Sequence, residues 1–230
     1  MRTVFVNHIR IVDEMKFFSR LIELRRRHNT YRYQPLPEID SIRLLELRPG
    51  KEKEPISCRL FITNLRDAPP YEAISYVWGD PELCNTITCS GKKLLVTANL
   101  LWALKRIRSS SESVTLWADQ ICIHQGSATE QSHQVRQMGA IYEKAEQVYV
   151  CLGDCVPQDA RAAISVVQEL YNMVTQLTEQ YGSFACIPTV KLDQVESYRS
   201  LDWRAYDRMI TCTWFRRGWV WSLRLSGILC

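Results

Sequence analysis

The sequence lacks an uninterrupted apolar run of the roughly 20 residues that a membrane-spanning helix needs. It contains no G-x-x-x-x-G-K-[ST] motif, which argues against a P-loop nucleotide site. Its formal net charge is only +4 over 230 residues, and no basic stripe interleaved with aromatic residues follows from that charge, so we expect no nucleic-acid partner. No secretory segment precedes the domain, and we therefore expect a cytoplasmic protein without a membrane span.

Metal-ligand spacing is also missing, although the chain contains nine cysteines. The close pairs are Cys84 with Cys89 and Cys151 with Cys155, and neither is joined by a second close pair or by a neighbouring histidine. This spacing argues against a zinc site. We expect no metal site and reduced, mostly buried thiols.

The hydrophobic residues, 46% of the chain, are sufficient for one domain with a sizeable core. Residues 11–27 predict an amphipathic helix that ends in a run of arginines, and "YRYQPLP" predicts a linker because of its two prolines. We therefore assign residues 1–40 to an N-terminal helical extension and linker, and residues 41–230 to the main domain. The core motifs of that domain lie in 71–154, and its C-terminal part, 155–230, is a candidate for truncation.

Alternating strands and helices predict an α/β fold with a parallel sheet and right-handed crossovers. A hairpin is predicted in an extension before the main strands, at 42–47 and 56–62, and a second one turns at Ser90-Gly91. The strands of the predicted sheet are 73–77, 114–119 and 148–153, and the helices that alternate with them are 97–108, 127–147 and 159–177.

Helical spacing predicts which side chains of these helices face the core. Thr97 is predicted to cap the helix that follows it. The helix at 127–147 is expected to direct Val135, Met138, Tyr142 and Ala145 inward. His133 and Gln134 are then expected on its solvated face.

Polar side chains follow each predicted strand at its carboxyl end. Asp80 follows the first strand, Asp119 and Gln125 follow the second, and Asp154 follows the third. Open α/β sheets place ligands in the crevice outside the carboxyl ends of their strands. Each of these residues alone indicates only a turn or a helix cap. Because all of them follow strand ends at the same edge of the sheet, together they predict a ligand-binding site.

Several motifs, in the right order, resemble the fungal heterokaryon incompatibility (HET) domain. They are "YEAISYVWGD", "ITCSGKKLLVTANLLWALKRIR", "LWADQICIHQ", "QVRQMGAIYEKAEQVYVCLGD" and "TWFRRGWV". The resemblance runs from about Ile42 to Val220 and is weak over 155–200. His124 stands where the family usually has asparagine.

This resemblance implies a role in fungal non-self recognition that ends in regulated cell death, with protein partners of homotypic or other incompatibility type. It also implies a distant similarity to TIR domains, hence a TIR-like (flavodoxin-like) three-layer parallel sheet with an inserted hairpin and an N-terminal helix and hairpin extension. Catalytic TIR domains hydrolyse NAD with a glutamate. NAD is therefore the implied substrate or ligand, and no other cofactor is expected.

The chain departs from the family after "TWFRRGWV". Ser222 and Leu223 occupy the places where the resemblance implies glutamine and glutamate. A carboxylate normally stabilises an oxocarbenium-like ribosyl transition state. We therefore predict that this chain, as written, does not hydrolyse NAD appreciably.

Individual residues leave alternatives open. Glu130 is a weak catalytic candidate, because Ser127-Ala128-Thr129-Glu130 predicts a capping box that would occupy its carboxylate. Asp119 is expected either to bind a ribose hydroxyl of a ligand or to form an Asx-turn with its own backbone. Cys122 predicts a packed thiol in preference to a nucleophile.

The strand-end block supplies the remaining ligand-binding candidates. Trp78 is expected either to stack on a nicotinamide or adenine ring of a ligand or to cover the edge of the sheet. Gly79 predicts a turn or a close backbone approach. The candidate ligand-binding residues are Ser75, Tyr76, Trp78, Gly79, Asp80, Asp119, Cys122 and Gln125. Three functions remain open: an incompatibility effector with a nucleotide crevice, a non-catalytic homotypic interaction module, and a TIR-like NAD glycohydrolase.

Overall fold

The computed structural model describes residues 29–80, 83, 85–152, 157–188, 201–216 and 227–229. The predicted helix at 11–27, Asp154, Ser222 and Leu223 lie outside these residues. The chain divides into two compact units. The first comprises Met1–Ile74 and Trp78–Val148, and the second comprises Ser75–Val77 and Tyr149–Cys230.

The elements alternate along the chain, as an α/β fold requires. The strands are β1 (Ser41–Leu47), β2 (Ser57–Asn64), β3 (Glu72–Tyr76), β4 (Asn85–Cys89), β5 (Lys92–Val96), β6 (Val114–Trp117), β7 (Gln147–Cys151) and β8 (Gly227–Leu229). The α-helices are α1 (Ala98–Ile107), α2 (Asp119–Cys122), α3 (Ala128–Lys144), α4 (Pro157–Tyr181) and α5 (Trp203–Ile210). Short 3₁₀ helices occupy Phe184–Cys186 and Thr213–Arg216.

In the first unit the strands lie in the order β5-β4-β2-β1-β6-β3. The predicted parallel pairing of β3 with β6 is confirmed, whereas β1 pairs antiparallel with both β2 and β6. The sheet is therefore mixed. The expectation that the first hairpin lies in an extension outside a parallel main sheet was wrong, because β1 of that hairpin pairs with β6 inside the sheet. The physical reason is that β1 buries consecutive residues on both faces, which is typical of a central strand.

Local signals identified two features of the first unit correctly. Thr97 caps α1, since its side chain accepts a hydrogen bond from the Leu100 N–H. The second hairpin turns at Ser90 and Gly91, whose φ angles are 49° and 76°. Two left-handed residues in a two-residue loop give the twist that joins antiparallel strands without splaying them.

The predicted strand at 114–119 ends earlier, at Trp117. Asp119–Cys122 forms one helical turn instead, in which the Ala118 carbonyl accepts the N–H groups of Ile121 and Cys122. The Asp119 carboxylate accepts the Gln120 N–H at 2.7 Å. A side chain that satisfies a free N–H at a helix start favours this turn over a continuing strand.

The predicted inward face of α3 was wrong at two positions. Val135 is 53% exposed, whereas Gln134 is fully buried. The Gln134 amide donates to the Ser41 carbonyl at 2.9 Å and to the Gln137 side chain at 3.2 Å. Hydrogen bonds of this kind reduce the cost of burying an amide, and apolar spacing alone cannot reveal them.

In the second unit, α4 and α5 pack together. Their buried contact is formed by Ala163, Ala205 and Met209. Arg208 on α5 forms a two-contact ion pair with Asp159 on α4, at 2.8 and 3.0 Å. The helix predicted at 159–177 therefore exists and extends to Tyr181.

The described cysteines carry free thiols, and those of Cys58, Cys89, Cys122 and Cys151 are buried. Within the described ranges, no group of three or more His, Cys, Asp or Glu residues could hold a metal ion. Among the described helices, none has the length and apolarity needed to span a membrane.

Candidate functional site

The carboxyl ends of β3 and β6 meet at one edge of the sheet, because these two strands are parallel and adjacent. Trp78 comes two residues after β3, and Asp119 comes two residues after β6. The indole Nε1–H of Trp78 donates to Asp119 Oδ2 at 2.9 Å. The structure therefore brings together two candidates that are distant in sequence.

Gln125 joins the same group. Its Nε2 donates to the Asp119 carbonyl at 2.9 Å, and its Oε1 accepts from Gln131 Nε2 at 3.1 Å. We call Trp78, Asp119 and Gln125 the strand-end cluster. All three side chains are half-buried, so this polar group lies at the surface of the first unit.

Asp119 is already engaged within the protein. Its Oδ1 accepts the Gln120 N–H at 2.7 Å and its Oδ2 accepts the Trp78 indole. Asp119 therefore supports the turn that follows β6 and links that turn to Trp78.

Gly79 occupies a position that a side chain would disturb. Its φ is 71°, in the left-handed region that L-residues resist. A Cβ added there would lie 2.6 Å from Asn99 Nδ2. The backbone after Trp78 therefore passes directly against the first turn of α1. Asp80, which follows, is exposed.

The other candidates from this block belong to the second unit. Ser75 is buried, and its Oγ accepts the indole N–H of Trp214 at 3.0 Å. This bond joins the first sequence motif to "TWFRRGWV". Tyr76 is also buried, with 2% of its surface exposed.

Cys122 is enclosed by the protein. It has no exposed surface, and the Ala118 N–H lies 3.4 Å from its sulfur. Burial raises the pKa of its thiol to about 12. The thiolate is the nucleophilic form of cysteine, and at neutral pH this environment favours the inert thiol.

Glu130 is engaged by an arginine that sequence reasoning missed. Arg43 Nη1 lies 2.5 Å from Glu130 Oε1, and Arg43 Nη2 lies 3.0 Å from Oε2. The Oε1 atom also accepts the His124 N–H at 2.8 Å. Burial raises the pKa of Glu130, but the hydrogen bonds from Arg43 and His124 outweigh burial and lower it overall. This carboxylate is held ionised.

The predicted capping box is half correct. Ser127 Oγ accepts the Glu130 N–H at 3.3 Å, as an N-cap should. The Glu130 carboxylate does not return to the Ser127 N–H, which instead donates to the His124 carbonyl. The stronger attraction of Arg43 accounts for this difference.

Aromatic side chains complete the surroundings of this ion pair. The Tyr33 ring stacks on the His124 ring, with centroids 4.7 Å apart and an interplanar angle of 13°. The Arg43 guanidinium lies 5.1 Å from the Tyr33 ring centroid. We call Arg43, Glu130, Tyr33 and His124 the arginine cluster.

One sequence signal could have revealed the arginine cluster. Arg43 lies inside the apolar run "IRLLEL", and its side chain is almost fully buried. A charged residue in a central strand requires a buried partner of opposite charge. The partner is 87 positions away, so the need for a partner is predictable whereas its identity is not.

Comparison with known proteins gives a consistent result. The family model described as "Heterokaryon incompatibility protein (HET)" matches residues 71–222. A protein of Neurospora crassa named "Heterokaryon incompatibility protein 6, OR allele" is 31% identical over 209 residues, an alignment that covers 78% of this chain. The chain spans 31% of that relative's length. No solved structure matches.

Proposed function

Because this chain belongs to the heterokaryon incompatibility (HET) family, we propose that it acts in fungal non-self recognition and regulated cell death, with a nucleotide crevice at the strand-end cluster. The observation that carries the proposal is the meeting of Trp78, Asp119 and Gln125 beside the ends of two parallel strands. Such ends are where α/β sheets bind ligands. The name of the Neurospora crassa relative supports the biological role.

The ligand chemistry follows from the side chains. A carboxylate at a strand end, such as that of Asp119, suits a ribose hydroxyl, and its bond to Trp78 holds the indole beside it for stacking on a base. Gly79, directly after Trp78, has a left-handed φ of 71° that a side chain would strain. We propose NAD as the ligand, in keeping with the TIR-like fold proposed for this family.

We expect binding without appreciable hydrolysis. Cleavage of the nicotinamide–ribose bond leaves positive charge on the ribose, which a nearby anion must stabilise. Leu223 stands where the family's glutamate is expected. Glu130 is the weak alternative, and its carboxylate already accepts three hydrogen bonds.

The experiment is a calorimetric titration of the purified chain with NAD, followed by measurement of nicotinamide release. Asp119→Ala should abolish binding, whereas Asp67→Ala, at an exposed turn position, should leave it unchanged. The double variant Ser222→Gln/Leu223→Glu tests whether the missing residues restore turnover. Robust release by the unmodified chain that is lost in Glu130→Gln, while NAD affinity is unchanged, would show that Glu130 is the catalytic carboxylate.

A non-catalytic interaction module is a second candidate, and one surface of α4 favours it. Ile164, Val167 and Tyr171 are 40%, 41% and 68% exposed. Their spacing places them on one helix face, the arrangement that helix-in-groove recognition uses. Light scattering of the unmodified chain and of Tyr171→Ser would detect homotypic association through this face.

A further inference from the structure

Arg43 contacts the polypeptide between Asp119 and Gln125 directly. Its Nη1 donates to the Cys122 carbonyl at 3.1 Å as well as to Glu130. Its Nη2 donates to Glu130 and, at 2.5 Å, to the Gln34 carbonyl. The planar guanidinium has rigid, forked donor geometry, so these contacts fix the Cys122 peptide relative to β1.

Two other members of the arginine cluster hold the neighbouring peptides. Glu130 accepts the His124 N–H at 2.8 Å. The Tyr33 hydroxyl donates to the Ile121 carbonyl at 2.9 Å. Peptide groups at 121, 122 and 124 are therefore held by side chains from β1, from α3 and from residues before β1.

The segment 119–125 carries both polar members of the strand-end cluster that follow β6. It contains one helical turn, Asp119–Cys122, and the Gln125 side chain closes back onto the Asp119 carbonyl. These internal hydrogen bonds make the 119–125 segment a rigid unit. The contacts from the arginine cluster to residues 121, 122 and 124 therefore determine where the whole segment lies.

We propose that Arg43 is the positioning residue of the nucleotide crevice: it fixes the 119–125 segment so that Asp119 and Gln125 face the ligand. This inference rests on the proposed function. Arg43 itself touches no ligand in this proposal. Its buried, forked contacts supply the supporting shell that a preorganised site requires.

The proposal assigns a distinct task to Glu130. Its carboxylate binds both Arg43 on β1 and the His124 N–H. Glu130 therefore helps to fix the 119–125 segment relative to β1. A residue committed in this way serves as a support and not as an acid catalyst. Arg43→Lys and Glu130→Gln should therefore produce the same kind of defect.

The test compares Arg43→Lys with Arg59→Lys. Lysine keeps the charge at position 43 but loses the fork. Arg59 also pairs with a glutamate, Glu46, but its side chain is 58% exposed. NAD affinity is measured by calorimetry at a temperature where circular dichroism shows every variant fully folded, and hydrogen exchange of the Ile123 and His124 amides is followed by NMR.

We expect Arg43→Lys to weaken NAD binding by about tenfold or more, equivalent to about 1.4 kcal/mol, and to accelerate exchange of the His124 amide. Arg59→Lys should change neither. Unchanged affinity in a folded Arg43→Lys protein, even with a lower melting temperature, would overturn the proposal, because a purely structural role predicts that result.

Failure of the proposed function is distinguishable from failure of this inference. If the unmodified chain binds no NAD, the nucleotide crevice is wrong, and amide exchange alone then decides whether Arg43 holds the 119–125 segment. Unchanged His124 exchange in Arg43→Lys overturns that hold as well. If Arg43→Lys does not fold, Glu130→Gln provides the same comparison, with Glu46→Gln as its control.

Discussion

The strand-end cluster and the arginine cluster arise from the same stretch of sequence but occupy opposite environments. Asp119 is half-buried and bonded to an indole and a backbone N–H, whereas Glu130, eleven residues later, is paired with a buried guanidinium. An acid at a strand end and an acid at a helix start thus perform separate tasks. Asp119 lies half-buried beside the end of β6, and Glu130 fixes the backbone of the segment that follows Asp119.

The largest effect should come from removing the buried cation. Arg43→Met leaves Glu130 without its partner and the Cys122 carbonyl without a donor, and breaking a buried ion pair from one side costs about 3–5 kcal/mol. Urea denaturation measures the free energy of unfolding. The matched change Arg59→Met removes an exposed pair and should cost less than about 1 kcal/mol. Similar losses in both variants would show that Arg43 is not the structural centre we describe.

A second effect belongs to the strand-end side. Gly79→Ala places a Cβ at a φ of 71° and 2.6 Å from Asn99 Nδ2. Gly91 has a similar φ of 76° with no atom within 4 Å of the added Cβ. Gly91→Ala therefore measures the conformational penalty alone, about 1–2 kcal/mol.

The difference in unfolding free energy between these two glycine variants measures the cost of the contact between the added Cβ at position 79 and Asn99. We expect Gly79→Ala to lower the free energy of unfolding by about 1 kcal/mol more than Gly91→Ala, because overpacking adds to strain. Urea denaturation of both proteins gives this difference. Equal losses would mean that Asn99 moves aside freely and that the chain after Trp78 is not closely packed.

Sequence reasoning succeeded where the relevant contact is local. Thr97 and Ser127 each accept an N–H three residues ahead, and Ser90-Gly91 forms its turn by itself. It failed where the partner is distant: Gln134 is buried because it reaches the Ser41 carbonyl, 93 positions away. No pattern within one segment encodes such a pairing.

The same distinction applies to the site. The approach of Asp119 to Gln125 follows from their short separation, and the approach of Asp119 to Trp78 follows from two parallel strands. Both could be predicted from the order of elements. The role of Arg43 could not, because its strand was expected outside the main sheet, whereas β1 lies directly beside β6.

A smaller effect should come from the bond that joins the two strand ends. Trp78→Phe removes the indole donor and keeps an aromatic ring, and Asp119→Asn keeps the shape and removes the charge. A double-mutant cycle measured by urea denaturation should give a coupling of about 1 kcal/mol, because a half-exposed hydrogen bond to a charged group gains only modestly over water. Additive losses would contradict a direct interaction between Trp78 and Asp119.

The smallest effect is the pH dependence contributed by Glu130. Burial raises the pKa of Glu130, whereas Arg43 and the His124 N–H together lower it by more. The net shift is therefore downward from the ordinary value of 4.5, and burial offsets part of it. A depressed folded-state pKa gives stability that is fully present above the unfolded-state pKa and is lost as the pH falls through the folded-state value. The stability difference between the unmodified chain and Glu130→Gln should therefore stay constant from pH 7 to about pH 5 and shrink below about pH 4.5.

Urea denaturation across this pH range measures the stability difference, with Glu46→Gln as the exposed control. A difference that persists unchanged from pH 7 to pH 3 would mean that folding does not lower the pKa of Glu130, because a lowered pKa requires the unfolded chain to bind more protons than the folded chain in this range.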